Sequence, residues 1–218
     1  AGDGSLDKRV QADINQTLGE LQKSYSNDPL VQVRARLTHA QSLVKSGDPA
    51  LAKKLTDEAM SQLGALDQLF SAAVSLQVAS QLRELGQAQA SDALLKNCVE
   101  VYGDDPLVMQ GIAKQTADPD ILGAASEAID LNRQGVRSYQ MGRFADALEL
   151  FRQALQRQPK NISIALNTAQ SLLRLGGDSP DQALLDECRR CLQAVRMLPP
   201  SDPRHARYQQ LHNKAFGP

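Results

Sequence analysis

The chain has 218 residues, with 24 Lys and Arg against 25 Asp and Glu, 4% aromatic residues and no Trp. So even a charge balance gives no electrostatic basis for holding nucleic acid, and so few rings leave little to stack on bases or sugars. Leu, Ala and Gln are abundant and β-branched runs are missing, which favours helices over strands. No apolar run approaches the length of a membrane span, and no charged-then-apolar segment opens the chain. Cys98, Cys188 and Cys191 are too few for a disulfide framework. These features give the expectation of a cytoplasmic protein without a membrane contact. The opening Ala1-Gly2-Asp3-Gly4 lacks a Met and reads as the start of an excised piece.

In chain order, residues 1–27 carry Leu6, Val10, Ile14, Leu18, Leu21 and Tyr25 at three- and four-residue steps. That spacing predicts an amphipathic helix, acting as a cap or a connector. Residues 28–127 read as divergent helix pairs. Gly47 marks a turn, with small Ala40 before it and Ala52 and Ala59 after; Gly86 marks another, with Ala79 before and Ser91, Leu95 and Cys98 after. A short helix is predicted from Pro106 to Gln115, then a connector of breakers, Thr116-Ala117-Asp118-Pro119-Asp120.

Residues 128–218 hold the clearest unit. Gly135 lies on its first helix, Gly142 at its turn, Ala147, Phe151 and Ala154 on its second helix, and Pro159 closes it. Small residues facing one another let two antiparallel helices approach closely, and a large apolar knob fills the space beside them. A stretched unit follows, with a first helix from about Asn161 to Leu175, a break at Gly176-Gly177-Asp178-Ser179-Pro180, and a second helix running to Leu198. A last helix, about Pro203 to Ala215, covers the open end.

The turn glycines are spaced 86 − 47 = 39 and 176 − 142 = 34 residues, with 142 − 86 = 56 between the two halves. With the small and aromatic positions, this pattern resembles the tetratricopeptide repeat (TPR), a helix pair of about 34 residues. The resemblance implies an all-α, TPR-like α-solenoid of antiparallel helix pairs with flanking helices. It also implies a right-handed superhelix and a non-catalytic, protein-binding role.

A narrower resemblance rests on Ile129-Asp130-Leu131-Asn132-Arg133-Gln134-Gly135, on Ile164-Ala165-Leu166-Asn167-Thr168-Ala169-Gln170, and on Pro203-Arg204-His205-Ala206-Arg207-Tyr208. Over roughly 129–211 these stretches resemble the C-terminal end of bacterial response regulators that join a receiver domain to TPR repeats. That likeness implies two-component signalling, with the repeats as the partner-docking arm. The chain itself shows no strand–helix alternation of a receiver, so such a domain would lie upstream of Ala1.

No catalytic constellation can be assembled. Cys188-Arg189-Arg190-Cys191 places two thiols on one face of a predicted helix among Leu184, Leu185, Leu192 and Val195, where packing is the expected role. A metal or redox site would want a second pair or a helix start. His39, His205 and His212 have no paired carboxylate at a metal-binding spacing, and Gly176-Gly177 has neither the spacing nor the Lys of a phosphate loop. No enzyme activity, cofactor or metal is expected.

The TPR template assigns the concave face to the first helices. In the clearest unit these positions are Ile129, Asn132, Arg133, Val136, Tyr139 and Gln140; in the next they are Ser163, Leu166, Asn167, Gln170, Leu173 and Arg174. Earlier, Arg34, Gln41 and Lys45 are matched by Gln77, Ser80 and Arg83. Amides and guanidinium groups so placed suit an extended peptide backbone and its carboxylates. Asn132, Arg133, Val136, Tyr139, Gln140, Asn167, Gln170 and Arg174 are therefore the candidate partner-binding residues. Two other readings stand beside the scaffold. One is a helical small-molecule-binding domain or enzyme-associated subunit with an enclosed pocket; the other is a spacer that homodimerises through its N-terminal helix.

Overall fold

The computed structural model describes residues 10, 12–14, 16–20, 24, 28–66, 71–123, 126–177 and 181–217. No strands occur among them; residues 10, 12–14, 16–20 and 24 are helical, and eleven helices follow: α1 (Pro29–Ser46), α2 (Pro49–Ala65), α3 (Ala72–Glu84), α4 (Ala88–Tyr102), α5 (Pro106–Ala113), α6 (Pro119–Gly123), α7 (Ser126–Gln140), α8 (Phe144–Arg157), α9 (Ile162–Gly176), α10 (Gln182–Ala194) and α11 (His205–Phe216). The chain forms two compact units, Ala1–Gln68 with Gln77–Asp92, and Leu69–Leu76 with Ala93–Pro218.

Helix starts follow from local chemistry. Asp28, Asp48 and Asp105 each stand at an N-cap before a proline, and their side chains accept first-turn N–H groups of α1, α2 and α5. Proline is at home there because the N–H it lacks has no intrahelical partner. The ends repeat one device at Gly47, Gly86 and Gly142, whose φ values are 87°, 77° and 78°. The N–H groups of Gly47 and Asp48 bond to Val44 and Leu43 carbonyls; Gly86 and Gln87 do the same with Arg83 and Leu82, and Gly142 and Arg143 with Tyr139 and Ser138. These paired bonds are Schellman motifs, which require a left-handed residue. Gly142→Ala should therefore cost about 1 kcal/mol in urea unfolding. Nothing lies within 4 Å of an added Cβ, so the cost is purely conformational. An unchanged midpoint would mean that the turn is not held in this form.

In the first unit, α1 packs on α2. Ala40 and Leu43 meet Ala52 in one apolar cluster, with Leu55 and Leu85 beside it. The residues expected at close-approach positions are buried: Ala40, Ala52, Ala59, Ala79 and Ser91 in this unit, and Leu95 and Cys98 in the second. Arg34 donates to Gln77 at 2.7 Å and Gln81 donates to Thr38 at 2.9 Å, so the expected faces of α1 and α3 do meet. Of the N-terminal stripe, Val10 and Ile14 are exposed in helical conformation, while Leu6, Leu21 and Tyr25 lie outside the described residues.

In the second unit, α7 packs on α8, α8 on α9, and α9 on α10, while α11 packs on both α9 and α10. α9 is thus central, and Ile162, Ile164, Ala165, Leu166, Ala169 and Leu172 are fully buried. Asn161 caps it from a buried position, accepting the N–H of Ile164 at 3.1 Å and donating to Gln158 at 3.2 Å. Arg152 of α8 forks onto Glu187 of α10 at 2.7 and 2.5 Å, tying alternate layers together.

Several expected boundaries shift. The connector after α5 contains the one-turn α6, started by Asp118, which accepts the N–H of Asp120 at 2.9 Å. α10 stops at Ala194 rather than Leu198, because Val195, Arg196 and Leu198 bond three residues back instead of four. Pro199 disfavours helical backbone at the residue before it, so the final turn tightens and ends. α11 begins two residues later than expected, as Asp202 holds both the backbone and the guanidinium of Arg204. The turn after α9 uses Gly177 (φ 60°) rather than Gly176, which is the last residue of α9.

A cleft between the first helices of the second unit

α7 buries Ala128, Asn132, Gly135 and Ser138, one face at helical spacing. Gly135 lets that face close onto α8. A Cβ there would stand 2.5 and 2.7 Å from ring atoms of Phe151, which is itself 1% exposed. On the next turn of α7, Val136, Tyr139 and Gln140 share the lining of two concavities with Asn167, Gln170 and Arg174 of α9.

Two adjoining concavities result. The smaller, ≈ 270 Å³, is lined by Val136, Tyr139, Gln140, Phe151, Asn167, Gln170 and Arg207. The larger, ≈ 770 Å³, shares Tyr139, Gln140 and Gln170 and continues past Gly142, Phe144, Leu173, Arg174, Gly177, Leu211 and Lys214. Its wall is stiffened by Tyr139 packed edge-on to Phe144, with ring centroids 5.0 Å apart, and by the Arg174 guanidinium 5.2 Å above the Phe144 ring.

A directed hydrogen-bond chain crosses the cleft. Arg207 of α11 donates to Asn167 at 2.8 Å and to Gln170 at 3.1 and 2.5 Å. The two amides pass the polarity on, Asn167 donating to Asn132 at 2.8 Å and Gln170 to the Tyr139 hydroxyl at 3.1 Å. Each carbonyl thus accepts from the cation and each amide N–H points onward, an arrangement in which the bonds strengthen one another. Burial holds the Arg207 guanidinium below its usual pKa, with Tyr139 offsetting part of the effect.

The candidate residues separate on this geometry. Val136, Tyr139, Gln140, Asn167, Gln170 and Arg174 line the cleft. Asn132 is only 7% exposed and stands behind Asn167 as its acceptor. Arg133 lines neither concavity; it is exposed and reaches back to Asp130 of its own helix at 3.4 Å. Leu166, assigned by the template to the concave face, lies in the core. Arg207 was not anticipated, because it comes from the covering helix and not from a first helix of the template.

The other groups weighed for chemistry have packing surroundings. Cys188, Cys191 and Cys98 are buried, and burial pushes their thiols up to about 11, 12 and 12 respectively, so the thiolate is scarce at neutral pH. His205, Tyr208, His212 and Phe216 form a ladder of neighbouring rings along α11, and His205 Nδ1 lies 3.1 Å from the Leu198 carbonyl. Among the described residues, no three His, Cys, Asp or Glu side chains are grouped as metal ligands. No described helix is long and apolar enough to cross a membrane.

Comparison with protein families decides the repeat type. A tetratricopeptide-repeat model matches residues 138–215, and a second tetratricopeptide-repeat model matches residues 34–112. The chain has an all-α, TPR-like repeat fold. The first TPR match runs from the end of α7 to within α11 and the second from within α1 to within α5, so both units carry TPR sequence. No curated protein matches the chain significantly. The cleft lies where the α7–α8 and α9–α10 helix pairs adjoin, closed on one side by α11.

Proposed function

We propose that this chain is a non-catalytic docking module that binds an extended segment of a protein partner along α7 and α9. The observation that carries this reading is the continuous cleft whose walls alternate apolar surface with amide and guanidinium groups. Val136, Phe144 and Phe151 offer apolar contact, while Gln140, Gln170 and Arg174 offer donors and acceptors to a peptide backbone and its acids. TPR arrays are built from stacked helix pairs that leave such a surface open for recognition.

The likeness of residues 129–211 to the repeat-bearing end of bacterial response regulators supports a finer placement. In that placement the chain is the partner-docking arm of a cytoplasmic two-component signalling protein. Proteins captured from the source organism would then include two-component components, and a capture set free of them would contradict it.

Arg174→Ala should weaken the captured complex by about 1–3 kcal/mol, the range for a lost charge-assisted hydrogen bond. Arg133→Ala should change it less, since Arg133 stands outside the cleft. Both variants should melt with the parent, because exposed side chains contribute little to stability. Equal binding by parent and Arg174→Ala, with both folded, would move the partner off this face.

A further inference from the structure

Arg207 carries a positive charge into a cavity that supplies no negative one. Other half-buried arginines of the same unit are neutralised: Arg152 by Glu187, and Arg204 by Asp202, with two contacts of 2.9 Å. The three hydrogen bonds of Arg207 all go to amide oxygens, those of Asn167 and Gln170. None of the ion pairs among the described residues includes it. Its bonds use Nε and Nη2 and leave Nη1 without a hydrogen bond to any described residue.

A half-buried cation is held better by an acceptor of opposite charge than by neutral amides, and the guanidinium plane is matched to carboxylate oxygens. The fork is already fixed by two amides, so an incoming acid meets an oriented donor and little rotamer freedom remains to be lost. The rest of the cavity is apolar on the Val136 and Phe151 side. Its ≈ 270 Å³ suits one acidic side chain whose methylenes pack there while its carboxylate reaches Nη1. A phosphate dianion would want more than one cation, and among the described residues Arg207 is the one cationic side chain lining this cavity.

We propose that Arg207 is the receptor for a glutamate side chain of the bound peptide, inserted between α7, α9 and α11. The inference rests on the peptide-docking reading above and adds which acid is read and by which residue. The shared opening onto the larger concavity gives the flanking peptide backbone a path along Gln140 and Gln170.

The test uses the whole chain, ¹⁵N-labelled, and follows the Arg207 Nε–H signal in solution. The probes are acetyl-Ala-Glu-Ala-amide, its Gln counterpart, and free glutarate. The Glu peptide should shift the Arg207 signal saturably and bind at least about tenfold tighter than the Gln peptide, a difference of about 1.4 kcal/mol. Arg207→Gln should abolish that preference and Arg207→Lys should retain part of it, with melting curves confirming that both variants fold. Equal binding of the Glu and Gln peptides would overturn the role of Arg207 while leaving the peptide cleft standing. A response to glutarate alone would overturn the peptide source, and with it the docking reading. No response to any of the three would overturn both.

Discussion

Phe151→Ala should destabilise the second unit by about 3–5 kcal/mol, the range for truncating a buried aromatic side chain. The ring is 1% exposed, touches the helix-pair contact at Gly135, and forms one wall of the ≈ 270 Å³ cavity. Its removal takes away apolar contact with α7 and enlarges a space that the surrounding helices cannot easily refill, because α7 is already as close to α8 as a glycine allows. Urea unfolding followed by circular dichroism would measure the loss. A change under about 1 kcal/mol would mean that Phe151 is not the knob of this repeat.

Gly135→Leu should cost about 3 kcal/mol, at the upper end of overpacking. The sign is informative, since helix propensity alone favours replacing the glycine by Leu or Ala: Gly to Ala in a helix interior gains about 1 kcal/mol. Packing should win because the added Cβ meets the body of a buried ring and not the end of a flexible chain. Gly135→Ala should therefore already be destabilising in the parent. In the Phe151→Ala background the obstruction is gone, and Gly135→Ala should become neutral or stabilising by up to about 1 kcal/mol. A Gly135→Ala effect of the same sign and size in both backgrounds would place the two residues out of contact.

These two residues also show what the sequence made legible. Gly135, Ala147, Phe151 and Ala154 were readable because close helix approach demands small residues at fixed spacing, and all four are buried at that contact. Gly47, Gly86 and Gly142 were readable as turns because a left-handed C′ residue is nearly always glycine. α6 was missed because five residues between breakers carry no periodic signal; Asp118 starts it and the buried Ile121 anchors it.

The candidate site was legible in part, for a related reason. A single-repeat template assigns residues to a face but does not say which of them a neighbour covers. Asn132 is on that face and is nonetheless buried, because Asn167 lies over it. Arg133 lines neither concavity and is exposed, with Asp130 of its own helix 3.4 Å away. Arg207 enters from α11, a helix with no place in the repeat code, so only its position in space reveals it. In the sequence Arg207 stands out only as part of the stretch Pro203-Arg204-His205-Ala206-Arg207-Tyr208 that carries the narrower resemblance.

The most direct test of the docking cleft is site-specific photocrosslinking in cells of the source organism. Gln140 lines both concavities, whereas Gln156 is exposed on the second helix of the same pair. A benzoylphenylalanine at Gln140 should give a discrete adduct that Arg174→Ala diminishes, and one at Gln156 should give none. Adducts from Gln156 with none from Gln140 would place the partner away from the cleft and contradict it as the docking site.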